Sequence, residues 1–263
     1  MATFRPKSAL MLRSSGYAWA EYAPHPALAP WVSLYWTLET QPGEHVLRCL
    51  PDTCIDLTLR LHAGSVSAQL TGAQRQAQQW TMQGPMQLVG ARLVPGACAP
   101  LGLDASALEQ TWSPLAAHLP QASTRSLLQK AMRAPDAPAR VRVLEAFLLE
   151  RMLNRELDPR LSRAIAAVFS TRGVISVSQL AARAGASART LGRLFERDVG
   201  LAPKRFARIV RVQAALRELP DQRTWTPLAL ELGYHDQAHF IHDVRALFGA
   251  SPRELVRLAA HTR

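Results

Sequence analysis

The side chains with the clearest chemical purpose in this chain of 263 residues fall in two short runs toward its C-terminal end. The first holds Ser187, Arg189, Thr190, Gly192 and Arg193 around the apolar residues Leu191, Leu194 and Phe195. The second holds Gln237, Ala238, His239, Ile241 and His242 around Phe240, Val244 and Leu247. Apolar residues at steps of three and four mark a helix with one inner stripe. That phase leaves Arg189 and Arg193 on the opposite face of the first helix, and Gln237, Ala238, Ile241, His242 and Arg245 on that of the second. A guanidinium can bond bidentately to the O6 and N7 of guanine, and an outward Ile amid polar residues suits contact with a thymine methyl. The chemistry such faces offer is the reading of base edges.

Each run belongs to a longer pattern that occurs twice. Leu180-Ala181-Ala182-Arg183-Ala184-Gly185, followed by Ser187, Leu191, Phe195, Gly200 and Pro203, is matched by Leu228-Ala229-Leu230-Glu231-Leu232-Gly233, followed by Asp236, Phe240, Val244, Gly249 and Pro252. The offset is 48 residues before the turn and 49 after it, so one residue is inserted at the turn. A small Ala followed by Gly lets two helices approach, and Gly takes the positive φ of the turn. Each copy therefore predicts a short helix, a tight turn and a second helix. Ser176 with Gln179 forms a capping box, Ser187 and Asp236 are further N-caps, and Thr226 before Pro227 reads as a fourth.

The paired phrases Gly-Ala-Ser-Ala-Arg-Thr-Leu-Gly-Arg-Leu-Phe and Leu-Gly-Tyr-His-Asp-Gln-Ala-His-Phe resemble the DNA-binding domain of AraC/XylS-type transcriptional regulators, over about 85 residues. The resemblance implies that the second helix of each copy enters a major groove and that the two read adjacent turns of one DNA face. Carried over by position, the implied base readers are Arg189, Gly192 and Arg193, then Gln237, Ala238, Ile241 and His242. Ser187, Thr190, His239 and Arg208 complete the expected DNA contacts. This sequence departs from relatives at Gly192, where a longer polar side chain is usual, at His242, where Arg is common, and at Val244, where Phe is common. A mid-helix Gly costs about 1 kcal/mol relative to Ala. His242 implies weaker binding by the second unit, or binding that strengthens at low pH.

The segment joining the copies, Pro203 to Leu219, reads as one helix. Phe206, Ile209, Val210 and Leu216 give its apolar stripe, and Lys204, Arg205, Arg208 and Arg211 crowd its first half. Seventeen residues span about 25 Å, which with the flanking units sets the recognition helices about 34 Å apart, one turn of B-DNA. The same basic face also fits a core helix with a solvated side. Charge is distributed accordingly. From Asp158 onward there are 17 basic and 9 acidic residues, against 14 and 11 before it, a surplus where phosphates must be neutralised.

The opening from Met1 to Ala20 is interrupted by Arg13 and does not read as a signal peptide, and no run near 20 apolar residues occurs. A soluble, cytoplasmic protein with no membrane partner is expected. Cys49, Cys54 and Cys98 are too few for a disulfide framework or a four-thiolate zinc site, and read as buried thiols. If Cys49 and Cys54 lay along one strand, their spacing of five would put them on opposite faces.

From Glu21 to about Gly102 the chain is punctuated as a β domain, with strands expected at Trp31–Leu38, His45–Leu50, Ile55–Leu61 and Gln87–Leu93. These short runs predict a small barrel or sandwich. Tyr22-Ala23-Pro24 with Leu28 and Trp36, Leu50-Pro51-Asp52 with Cys54-Ile55-Asp56-Leu57, and Val89-Gly90-Ala91-Arg92 with Pro95-Gly96 are similar to the cupin-like N-terminal domain of one AraC-type subgroup. The resemblance implies a module for sensing a small molecule or for pairing. His45, His62, Asp52 and Asp56 supply imidazole and carboxylate, but the His-x-His and following Glu of a metal-holding cupin are absent, so no metal and no cofactor is expected. Asp52 after Pro51 reads as a turn residue, and Arg92 inside an apolar run as half of an ion pair or as an anion binder. Asp52 and Arg92 are the weak ligand-binding candidates.

Beyond Asp104 the pattern turns helical, at Leu115–His118, Thr124–Met132 and Ala139–Leu157. The last, with Val143, Leu144, Phe147, Leu148, Arg151 and Met152 along one side, can cover the β domain or pair with its copy. The expected fold is α+β: a cupin-like β barrel with trailing helices over 1–157, then an all-α domain with two helix-turn-helix motifs joined by a linker helix over 158–263. The expected function is that of a regulator, not an enzyme, which binds double-stranded DNA and is adjusted by a small-molecule effector or by homodimerisation. The resemblance adds an activator acting with RNA polymerase. The competing expectation is a cupin-type enzyme or metal-dependent sensor tethered to DNA.

Overall fold

The computed structural model describes residues 11–12, 17–108, 112–218 and 225–260. Arg13 and most of the opening stretch lie outside them, as does Leu219 at the end of the expected linker. Among the described residues seven strands lie in the first half: β1 (Met11–Leu12), β2 (Tyr17–Tyr22), β3 (Val32–Cys49), β4 (Ile55–His62), β5 (Ser65–Thr71), β6 (Gln78–Leu93) and β7 (Trp112–Pro114). Ten α-helices follow or interleave among the described residues: α1 (Cys98–Leu101), α2 (Gln121–Arg133), α3 (Ala137–Met152), α4 (Pro159–Ser170), α5 (Val177–Ala184), α6 (Ala188–Val199), α7 (Pro203–Glu218), α8 (Thr226–Glu231), α9 (Gln237–Phe248) and α10 (Pro252–Ala260). Three turns of 3₁₀ helix, one of them at Leu115–Ala117, complete the order.

The strands form one antiparallel sheet in the order β1-β3-β6-β4-β5-β7, with β2 on the other side of β3. The sheet curls until Trp80 of β6 meets Trp112 of β7, ring centroids 5.3 Å apart. Among the described residues the pairing path remains open, so this is a curled sheet and not a ring of hydrogen-bonded strands. The two strands expected at Trp31–Leu38 and His45–Leu50 are halves of the single strand β3. Register shifts between Thr40 and Gly43, where Gly43 with φ of 119° faces Gly84 across the ladder. An irregularity of this kind bends and twists a strand without ending it, which is why a Pro-Gly pair does not break this one. β5 and the first half of β6 carry Ser, Gln and Thr between apolar residues two apart, Val66, Ala68 and Leu70 in one and Trp80 and Met82 in the other, a period-two signal diluted by the small Ala68 and the many amides.

Both faces of this sheet are covered. Tyr35, Leu57, Leu59, Val89, Ala91 and Leu93 belong to the large core shared with the helices. Leu34, Trp36, Leu38, Leu47, Met82, Met86 and Leu88 form a second cluster inside the curl. Period-two alternation divides the faces, and Asp56, Thr58, Leu88 and Arg92 point inward with Trp36. Gly90 stands opposite Trp36 in the ladder. A Cβ there would come within 2.2 Å of the indole, so glycine is what lets Trp36 lie flat and stack on Trp19 at 5.2 Å.

Helix α3 packs on the outer face of the sheet. Leu144 and Leu148 are fully buried there, each worth about 2–5 kcal/mol against Ala. Its apolar stripe is shared between the sheet and α2. Among the described residues no helix is long and apolar enough to cross a membrane.

Candidate DNA-reading surface

The first helix-turn-helix is built from α5 and α6. Ser176 accepts from the Gln179 backbone while the Gln179 side chain accepts from the Ser176 backbone, the reciprocal cap expected of this spacing. Gly185 takes φ of 67° at the turn, and Ser187 caps α6 by accepting from the Thr190 amide at 3.1 Å. Leu191 and Phe195 are fully buried. That burial fixes the roll of α6 and leaves Arg189 and Arg193 exposed, Gly192 and Thr190 half-buried and Ser187 exposed.

The second unit is α8 and α9. Asp236 caps α9, accepting from the His239 amide at 2.7 Å, and Phe240 and Val244 are fully buried. Ala238, His239 and His242 are exposed, whereas Gln237 and Ile241 are half-buried. Ile241 packs against the large core, so the Ile expected to face outward reaches solvent only in part. Thr226 is not the cap that Thr-Pro implied: α8 begins at Thr226 itself, Trp225 precedes it in helical conformation, and no side chain caps the end. The Thr226 hydroxyl instead donates to Oε1 of Gln237 at 2.9 Å and steadies the first turn of α9.

The linker helix divides its basic residues between solvent and α9. Lys204 and Arg205 are exposed, but Arg208 turns inward and donates from Nε to Oδ1 of Asp243 at 2.6 Å. Arg211 lies 3.5 Å from the same carboxylate and stacks over the ring of Tyr234. Arg208, expected to contact phosphate, is thus ion-paired to α9 while its side chain stays 33% exposed. The half of the basic face nearest α9 is used for holding α9.

The curled sheet grips this helical part at several points. Ala77 donates its amide to the Leu247 carbonyl at 2.7 Å, and Arg48 donates to the Phe248 carbonyl at 2.8 Å. Both acceptors are end-of-helix carbonyls that α9 cannot satisfy itself. Gln213 of α7 donates to the Pro51 carbonyl at 2.8 Å. At the end of α6, a Cβ on Gly200 would lie 2.8 Å from the Ala105 carbonyl. Nothing in the sequence announces Arg48, Ala77 or Gln213, because each works across a long separation through one bond.

Inside the curl, Arg92 is buried and pairs with Asp52 at 3.1 Å and Asp56 at 3.0 Å. Trp36 donates its indole N–H to Asp56 at 2.9 Å. Burial pushes the Asp52 carboxyl above its usual range against the pull of Arg92. Asp52 also accepts from the Cys54 amide at 3.1 Å, a turn contact as expected. The cavity these groups line with Trp80 and Trp112 measures about 30 Å³, room for a water or two. Cys49 and Cys54 line it as well, from the end of β3 and the approach to β4. They do not share a strand, and their separation onto opposite faces does not arise. Burial pushes the Cys49 thiol up to about 12 and that of Cys54 well above the ordinary value. His45 bonds the Gln41 carbonyl and His62 that of Pro85, and no cluster of metal-ligating side chains occurs among the described residues.

Two helix-turn-helix units stand on one chain, each with exposed polar positions on its second helix, the arrangement of a DNA-binding helix-turn-helix domain. Residues 180–257 match the family described as a helix-turn-helix domain, and residues 20–112 match a domain of unknown function. An uncharacterized HTH-type transcriptional regulator of Haemophilus influenzae is 32% identical over 99 residues, 37% of this chain and 33% of that protein. The match thus spans about a third of that relative's length. Among solved structures, a transcriptional regulator with an AraC-type DNA-binding domain from Chromobacterium violaceum is 26% identical with a TM-score of 0.36, over 39% of this chain and 93% of its own. ToxT from Vibrio cholerae is 7% identical with a TM-score of 0.44, over 93% and 99%.

Proposed function

We propose that the chain is a sequence-specific transcriptional regulator that reads two adjacent major grooves, α6 entering one and α9 the next. Residues 158–263 form the reading unit, and residues 1–157 adjust it by binding a small molecule or by pairing two copies. Arg189 and Arg193 read bases in the first groove, with Gly192 allowing close approach. Ala238 and His242, flanked by Gln237, His239 and Ile241, face the second. Ser187 and Thr190 meet the backbone at the start of α6. The observation that carries this reading is the roll of α6 and α9: in both, burial of the same pair of apolar positions leaves the polar positions of the first two turns outward.

Adjustment has a physical route in this fold. The strap that carries Asp52 into the cavity also presents the Pro51 carbonyl to Gln213 of the linker helix. The closed cavity is too small for an effector, so occupancy requires the strap to shift. A shift there moves the α7 contact, and regulation becomes a difference in affinity between two arrangements.

The test is selection of bound duplexes from a random library with the full-length protein, followed by footprinting. Two protected patches with centres about 10 base pairs apart on one face are expected. A single short patch, or no enrichment over random sequence, would refute tandem reading.

A further inference from the structure

A broad groove of about 700 Å³ lies beside α6, lined by Arg75, Arg160, Arg193, Arg197 and Arg205, with Glu196 as its acid. Four of these arginines come from the helical part. Arg75 comes from the loop between β5 and β6, far back in the sequence. Its neighbourhood to α6 is fixed by two contacts: Arg205 donates to the Arg75 carbonyl at 3.4 Å, and the close approach of Gly200 to Ala105 leaves no room for a side chain. Asp158 and Asp198 orient Arg160 and Arg197 by ion pairs of 2.7 Å without covering them. Both guanidinium-bearing side chains remain about half exposed, at 44% and 58%.

We propose that the β part of the chain makes a direct phosphodiester contact, through Arg75, with the duplex that α6 reads. This rests on the reading of α6 as a groove-entering helix. A helix seated in a major groove about 12 Å wide has a sugar-phosphate strand along each flank. Arg193 belongs both to the reading face of α6 and to this groove, so the strand on that flank runs over the groove. Arg197, one helical turn beyond Arg193, continues the same line toward Arg205 and Arg75. A concave wall of five guanidinium groups matches a polyanion in charge and length, and Arg presents the fork geometry that phosphate oxygens accept. The consequence is regulatory as well as structural. Undocking the sheet from the helical part would withdraw one cation from the DNA backbone, so affinity for any duplex depends on the docked arrangement.

The experiment uses the full-length protein, a duplex recovered by selection and an unrelated duplex of equal length, with affinity measured against salt. For Arg75→Ala we expect weakening by the same factor on both duplexes and a log–log salt slope shallower by about 0.9, as when one fewer phosphate is neutralised. Arg75→Lys should restore the slope. The backbone carbonyl that Arg205 uses survives either substitution, and Arg75→Gln keeps the stem and removes the charge if Ala disturbs the fold. An unchanged slope overturns the proposal, and so does a loss confined to the selected duplex, which would make Arg75 a base reader. Stabilisation of the wild type, but not of Arg75→Ala, by inorganic pyrophosphate with the DNA slope unmoved would assign the groove to a free anion and also overturn it. Arg193→Ala in parallel separates the two readings. If it abolishes the preference for the selected duplex while Arg75→Ala changes nothing, tandem reading stands and the Arg75 contact falls.

Discussion

Arg208 of α7 and Asp243 of α9 meet at 2.6 Å, and the pair holds the second reading helix to the linker. The Asp243 carboxylate is buried, and its other oxygen accepts from the Tyr234 hydroxyl at 3.0 Å. Arg211 adds a second cation. Asp243→Ala would leave two guanidinium groups, 33% and 21% exposed, without their shared anion, and their access to water keeps the cost below the roughly 3–5 kcal/mol of breaking a fully buried pair. Arg208→Ala leaves Asp243 with Arg211 and Tyr234, so its cost should lie nearer that of one charge-assisted hydrogen bond, about 1.5–3 kcal/mol. Urea midpoints check both. The salt slope of DNA binding should be the same for Arg208→Ala and wild type; a shallower slope would return Arg208 to the phosphate interface.

Arg92 offers a prediction with a pH signature. It balances Asp52 and Asp56 inside the curl, and without it two carboxylates remain in a site that already raises the Asp52 carboxyl by burial. Arg92→Met should therefore destabilise the protein at neutral pH by roughly 3–5 kcal/mol. The sign of the pH dependence follows from linkage. A carboxyl whose folded value is raised holds its proton better in the folded state, so its contribution is greatest at low pH and is lost as pH rises through the folded value. Losing Arg92 raises Asp52 further. The gap between variant and wild type in urea midpoint should narrow as pH falls through the acid range, and a gap that widens on acidification would contradict this account of the cavity.

How much of the fold and site is legible in the sequence depends on the range of the interactions involved. Ser176, Ser187 and Asp236 cap helices within three residues of themselves, and the glycines at 185, 200, 233 and 249 all take positive φ. Local rules suffice for such features. The place of Arg92 follows from its position in an apolar run, because a charged residue there must meet an opposite charge. Arg208 escapes local rules. Helical phase shows which way a side chain leaves α7, but whether solvent or α9 lies there depends on a partner 35 residues away. Thr226 is no cap because Trp225, already helical in φ and ψ, is drawn into the core beside Phe240. Arg75 carries no signal at all, since its loop acquires meaning only when the sheet docks against α6.

Gly192 is the one position on the reading face where sequence economy can be tested directly. It is helical, and a Cβ built on it would meet nothing within 4 Å. Gly192→Ala should stabilise the protein by roughly 0.5–1 kcal/mol, because the unfolded chain loses freedom and no clash offsets the gain. Such a gain raises Tm by about 2–4 °C per kcal/mol in a protein of this size. A melting temperature that falls instead would show that α6 bends at this residue.

Arg193 is where stability and recognition can be separated. Its side chain is exposed and lies four residues after Arg189 on α6, whose roll is fixed by fully buried Leu191 and Phe195. Truncating an exposed side chain leaves that packing intact, so Arg193→Ala should melt within about 0.5 kcal/mol of wild type. Its binding should change far more. Loss of a bidentate guanine contact costs about 1–3 kcal/mol of discrimination, about fivefold to more than a hundredfold in affinity for a selected duplex. Anisotropy titrations on the selected duplex and on one with that guanine replaced give the decisive comparison. For wild type the two should differ by this factor, and for Arg193→Ala they should converge. If the variant instead weakens equally on every duplex and its salt slope becomes shallower, Arg193 touches phosphate, and base reading in the first groove passes to Arg189 alone.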